Sequence, residues 1–301
     1  MPRIDAQNDT RSFPAACWGG LDAVLVINLD ARTDRWDAFQ TQLGPIFPPE
    51  KLHRIAAVRG TDLPGYGVPP WFRESTGARA SSWAGVAGCA LSHRRAMEAV
   101  LQNGWKRALI CEDDIELSST ALLPDLPEML RRTPDNAYLY LGYHGAAPRG
   151  RLLERTPHGE LWEVEGVLAC HSYIVSDDVC RRLLSHLPDE SNVWAWVARY
   201  RAIDNFCRDW MQILAGVASC VAWPVLFRQQ DMGSDIDTSH RSVPEDRRTG
   251  HPSPLQGLSG IFHRLMSPCR RLKLRLNAWR THRRARLHGL PGYRCKKSGK
   301  K

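Results

Sequence analysis

The stretch "AVLVINLD", residues 23–30, constrains this chain most. It is an unbroken apolar run, with β-branched Val24, Val26 and Ile27, that stops at Asn28 and Asp30. A strand with no polar side must be covered on both faces, as in a parallel sheet between layers of helices. The next segment, "ARTDRWDAFQTQL", sets Trp36, Phe39 and Leu43 at helical spacing. The alternation continues. "HRIAAVRG" (53–60) reads as a short strand, and the Gly-, Pro- and Ser-rich 61–83 as a long loop. Residues 85–104 read as a helix closed by Gly104, with Val86, Ala90, His93, Met97 and Val100 on one stripe and small residues beside it. "KRALICEDD", "NAYLYLGY" (136–143), "VLACHSYIVS" (167–176) and "VASCVAWPVLF" (217–227) read as further strands. "SDDVCRRLLSHL" is a helix with Ser176 as its N-cap and acids in its first turn, and "VWAWVARYRAIDNFCRDWM" is helical with a break near Asp204. "RQQDMGSDIDTS" reads as a polar loop. Strands alternating with helices predict an α/β fold with a mostly parallel, Rossmann-type sheet flanked by helices.

Ligands of such sheets sit at the carboxyl ends of the strands. There "CEDD" places Glu112, Asp113 and Asp114 in succession. Extended, Glu112 and Asp114 point one way and Asp113 the other. Two carboxylates on one side make a hard-oxygen pocket suited to Mn²⁺ or Mg²⁺. Such a cation bridges a diphosphate and neutralises its charge as it leaves. The alternative is a solvated strand end followed by a turn.

The net charge of +9 conceals an asymmetry. From Arg247 onward there are 16 Lys and Arg and no Asp or Glu, which leaves the preceding 246 residues with 25 basic against 32 acidic side chains. The expected organisation is an N-terminal extension (1–20), a main domain (21–246) and a basic helical tail (247–301). In the tail, Leu272, Leu276, Trp279 and Leu287 fall at helical spacing among arginines and lysines, the pattern of a helix on an anionic membrane surface. Positive charge confined to the tail disfavours nucleic acid as the main partner. The N-terminal residues are polar and no apolar run approaches the roughly 18 residues of a membrane span, so a cytoplasmic protein peripheral to the inner face of a membrane is expected. The nine cysteines include no Cys-x-x-Cys pair, which argues for a reducing compartment and for cysteines acting as small buried hydrophobes.

Several pieces recur in one order: "VLVINLD" followed by an Asp-Arg, "GVAGCALSH", "ALICEDDIEL" and the distal "GSDI". Over roughly residues 22–238 this resembles glycosyltransferase family 25, which contains bacterial lipooligosaccharide galactosyltransferases and collagen galactosyltransferases. The resemblance implies a GT-A-like fold and transfer of a hexose from a UDP-sugar, most often UDP-galactose. The acceptor it implies is a hydroxyl of a lipopolysaccharide- or lipooligosaccharide-type glycan, lipid-linked and met at the membrane. It maps the family's metal-binding acids onto Glu112, Asp113 and Asp114, with Mn²⁺ or Mg²⁺ as cofactor.

Arg32 and Arg35, at the start of the next helix, suit a donor's phosphates, and the resemblance adds Asn28 and Asp30, which close the first strand, to the donor site. Gly88, Ser92 and His93 join the donor site through the family's Gly-Cys-x-x-Ser-His. Cys89 reads as packing, and His171, Tyr173, Trp194, Trp196 and Trp210 as structural. A transfer with inversion needs a base for the acceptor hydroxyl, for which Asp204 and Asp235 are the candidates. The competing functions are the same chemistry with another UDP-sugar on a protein or peptide acceptor and, outside enzymes, a basic nucleic-acid-binding protein.

Overall fold

The computed structural model describes residues 15–73, 76–144, 147–230, 272, 275, 276 and 278–290. The apolar runs form the sheet. Its strands are β1 (Ala23–Asn28), β2 (Leu52–Ala56), β3 (Arg107–Glu112), β5 (Ala137–His144), β6 (Gly150–Arg155), β7 (Glu160–Val164), β8 (Leu168–Ser176) and β9 (Ala218–Trp223). They lie in the order β2-β1-β3-β8-β5-β9-β7-β6. β2, β1 and β3 are parallel, β5 and β9 are parallel, and β8 and β7 run against their neighbours, so six of the eight strands share one direction. β4 (Ile115–Leu117) and β10 (Phe227–Gln229) form a separate antiparallel pair.

Every residue of β1 is buried, and its side chains divide between two cores. Ala23, Leu25 and Ile27 pack against α2 (Ala78–Gln102), α4 (Asp177–Leu184), α5 (Val193–Tyr200), α6 (Ile203–Asp209) and α7 (Met211–Ala215). Val24 and Val26 pack on the other face with α1 (Thr33–Gln42) and α3 (Leu126–Arg132). The expected α/β architecture, a sheet with most strands in one direction between helical layers, is what the chain adopts. Each fully buried Val, Leu or Ile in these cores contributes about 1.5–3 kcal/mol.

Local signals are reproduced where the chemistry is strong. Ser176 caps α4 by accepting from the Val179 amide at 3.2 Å. Gly104 takes a left-handed φ of 69° just beyond α2. The 193–211 segment breaks at Arg201, whose φ is 78°, so that Asp204 falls in the first turn of α6.

Other boundaries differ from expectation. The loop read over 61–83 ends earlier, because α2 begins at Ala78 without a side-chain cap. Its added turns are held by tertiary contact: Trp83 packs edge-on against Phe72, with ring centroids 5.8 Å apart. The run 217–227 is two strands, since Pro224 interrupts β9 before β10 begins. The β6–β7 hairpin at the sheet edge has no counterpart among the strands expected from the sequence.

Within the basic tail, residues 278–287 are helical as expected. Thr281 and Ala285 of this helix are buried, and Ala285 belongs to the core that contains Trp71 and Phe72. Leu272, Leu276, Trp279 and Leu287 are exposed. No helix among the described residues is long and apolar enough to cross a membrane.

Candidate active site

A cleft of about 390 Å³ opens where β1 and β3 end. Its walls are apolar (Ile27, Leu29, Ala57, Val58, Ala84), and polar groups converge on its floor: Arg32, Arg35, Ser92, His93, Glu112, Asp113, Asp114 and Gln229. The topology accounts for the convergence. Glu112 ends β3 opposite Ile27 of β1, and Asp113 and Asp114 form the turn into β4. β4 pairs with β10, which brings Gln229 over the acids across 115 residues of sequence.

Each acid has its own set of partners. Asp113 accepts from Asn28 Nδ2 at 2.6 Å and from Arg35 Nη1 at 3.2 Å. Asp114 Oδ2 accepts from Gln229 Nε2 at 3.2 Å and lies 3.7 Å from Arg35 Nη1. Its Oδ1 is buried with no hydrogen-bond partner among the described residues. Glu112 Oε1 lies 3.2 Å from His93 Nε2, and Oε2 accepts from Gln229 at 3.4 Å. His93 Nδ1 is in turn 2.8 Å from the Tyr173 hydroxyl. A neutral imidazole that donates from Nε2 and accepts from Tyr173 satisfies both ring nitrogens.

Burial, then the charges of Glu112 and Asp113, push the Asp114 carboxyl up to about 7. Burial also raises Asp113, although Asn28 and Arg35 oppose it. For Glu112 burial is the largest influence and acts upward, but the His93 hydrogen bond and the electrostatics of His93, His171 and Arg35 together outweigh it and hold the carboxyl below its ordinary range. A crowded set of carboxylates with one orphaned oxygen fits a hard divalent cation, which would replace the missing partner and cancel the repulsion. A second metal-capable group shares Glu112: ligand atoms of Cys89, His93 and Glu112 lie within 4.8 Å of one another. Cys89 is a poor ligand as it stands, because burial and the nearby acids raise its thiol well above the ordinary range.

The other expected site residues divide. Asn28 lies beneath the floor, where it holds Asp113, donates to the Arg32 carbonyl at 3.0 Å and accepts from Arg54 at 2.8 Å. Asp30 is exposed and paired with Arg54 at 2.6 Å, outside the cleft lining. Gly88 is also outside the lining, and a Cβ there would stand 2.3 Å from the Val58 carbonyl, so this glycine serves close packing of α2 on the 58–60 segment. Ser92 lines the cleft but spends its hydroxyl on Gly88 O (2.7 Å) and Val58 N (2.8 Å). Asp204 accepts from the Asn205 amide at 2.7 Å and is not part of the lining. Asp235 lies outside the described residues.

Trp194 and Trp196 are core residues, as read. Sequence reasoning missed Gln229, which it placed in a polar loop, and Arg59, an exposed arginine of the cleft wall. It also missed that Cys89 faces the cleft.

Residues 22–144 match the model of Glycosyltransferase family 25 (LPS biosynthesis protein), a span that runs from β1 through the acid turn to β5. The chain matches no curated protein. Among solved structures it is similar to a mannose-1-phosphate geranyltransferase from Thermus thermophilus, at 15% identity over 66% of this chain and 72% of that one, with a TM-score of 0.32. That likeness is too loose to bear on function. The family match and the cleft therefore coincide at the ends of β1 and β3: residues 22–144 of this chain are similar to glycosyltransferase family 25, and that match supports a glycosyltransferase enzyme.

Proposed function

We propose that the protein is a metal-dependent hexosyltransferase. It moves galactose from UDP-galactose to a hydroxyl of a lipopolysaccharide- or lipooligosaccharide-type glycan. The observation that carries this reading is the floor of the cleft: three consecutive carboxylates, two of them meeting Arg35, with Asp114 Oδ1 buried and, among the described residues, unpartnered.

In this reading Glu112 and Asp114 hold Mn²⁺ or Mg²⁺, while Asp113, already engaged by Asn28 and Arg35, fixes the turn. The cation would supply charge neutralisation for the departing diphosphate. Arg32, Arg35 and Arg59 line the same cleft and suit the donor's phosphates. His93 orients Glu112, and Tyr173 orients His93. The acceptor's proton goes to a carboxylate, and Asp204 and Asp235 remain the candidates. The charge of Asp204 acts on the thiol of Cys89, a residue of the cleft wall.

The catalytic unit spans 21–246, after an extension over 1–20, and the 247–301 tail meets the anionic inner face of the membrane, where a lipid-linked acceptor would be found. The exposed Leu272, Leu276, Trp279 and Leu287 support that role.

A calorimetric panel of UDP-sugars with Mn²⁺ tests the donor assignment. UDP-galactose should bind at least about tenfold tighter than UDP-glucose or UDP-N-acetylglucosamine, and only with the cation present. Equal binding of all three, or binding unaffected by EDTA, would overturn it.

A further inference from the structure

A second cluster of like charge stands beside the cleft. Arg79, in the first turn of α2, lies with its guanidinium 4.5 Å from the Trp83 ring centroid. Arg284, in the 278–287 helix, lies 5.7 Å from the Trp71 ring. Arg73 follows the buried pair Trp71 and Phe72. Among the described residues none of the three has a carboxylate partner. Burial, then the charges of Arg79 and Arg73, lower the Arg284 guanidinium from its ordinary range, which shows that the three are in electrostatic reach of one another.

The placement has a structural cause. Thr281 and Ala285 bury one side of the tail helix against the body, and this brings Arg284 to Arg73 and Arg79. The opposite side carries Trp279, with Arg283 5.6 Å from its ring, and remains exposed. The arginine cluster also adjoins the cleft. Phe72 touches Trp83 on one side and Tyr66, a cleft residue, on the other, with centroids 5.8 and 5.5 Å away. Ser81, Ala84 and Gly85, next along α2, line the cleft itself.

Three planar guanidiniums, two of them stacked on indole rings, present forked donors suited to a tetrahedral oxyanion. We propose that Arg73, Arg79 and Arg284 form a phosphate-ester site at the rim of the cleft, assembled when the C-terminal helix docks on Trp71. Calling its ligand part of the acceptor rests on the transferase reading; the site itself does not. The phosphate ester is carried either by a phosphorylated glycan or by a phospholipid headgroup.

The test uses the full chain in EDTA, so that the acid floor holds no cation. One arm titrates glucose 6-phosphate against glucose by calorimetry. The other measures sedimentation with phosphatidylcholine vesicles with and without phosphatidylglycerol. Arg79→Gln/Arg284→Gln is compared with Arg151→Gln/Arg155→Gln, which removes equal charge from exposed positions of β6, outside the tail and the cleft lining. The first variant should weaken phosphate-dependent binding by about tenfold or more and the second by less than about twofold, with the melting temperature of each near that of the parent. Discrimination in the glucose 6-phosphate arm identifies a soluble phosphorylated glycan, and discrimination in the vesicle arm alone identifies a headgroup; either upholds the site. Equal losses in both variants, or no phosphate-dependent binding by the parent in either arm, would overturn it. No nucleotide sugar enters either arm, so failure of the donor reading leaves this result intact.

Discussion

The acid floor and the arginine rim are both clusters of like charge, and they differ in solvent. Asp114 is buried and the side chain of Asp113 is only 8% exposed, so their repulsion acts in a poorly screened medium. Arg73, Arg79 and Arg284 are exposed, and water and salt screen most of theirs. The floor must therefore bind a proton or a cation, whereas the rim tolerates its charge and awaits a ligand. Burial, more than charge count, decides which cluster governs the stability of the fold.

The largest effect expected from this contrast is a pH dependence confined to the floor. Asp114 is raised from 3.8 to about 7, so its stabilising contribution is complete below about pH 3.8 and is lost as pH rises through 7. In EDTA the protein should lose up to about 4 kcal/mol from this group across that window. Asp114→Asn should flatten that part of the urea-denaturation profile, and Arg79→Gln should not. An unchanged profile in Asp114→Asn would erase the contrast.

A smaller effect concerns the counter-charge. Arg35 is buried and meets both Asp113 and Asp114, so Arg35→Gln leaves two buried acids uncompensated. Denaturation in EDTA at pH 8 should show a loss of about 3 kcal/mol, part of it restored by Mn²⁺. Arg284→Gln at the rim should change stability by less than about 0.5 kcal/mol. Equal losses in the two variants would mean that burial is not the deciding variable.

The legible parts of the sequence are those in which one local signal fixes one structure. β1 and β3 are continuous apolar runs, and two-sided burial follows from them. Ser176 and Gly104 mark helix ends by capping chemistry alone. The acid floor is legible because "CEDD" interrupts a strand at the end where α/β sheets bind ligands. The rest depends on tertiary contact. The β6–β7 hairpin is only partly buried and lacks a clean alternation, so its pattern resembles a loop. Gln229 reaches Asp114 only because β10 pairs with β4, a contact that no window of sequence contains. Gly88 reads as part of a donor-site motif, whereas its lack of a side chain is what α2 requires to meet Val58. The arginine rim joins residues some 200 positions apart through the docked tail helix.

The central claim, that Glu112 and Asp114 hold the divalent cation of a sugar-transfer site, is tested most directly by Mn²⁺ binding measured calorimetrically at pH 8. Asp114→Asn should weaken Mn²⁺ by about a hundredfold and abolish cation-dependent binding of UDP-galactose. Asp113→Asn, whose side chain can still meet Asn28, should weaken it by only about tenfold. Unaltered Mn²⁺ affinity in Asp114→Asn would contradict the account.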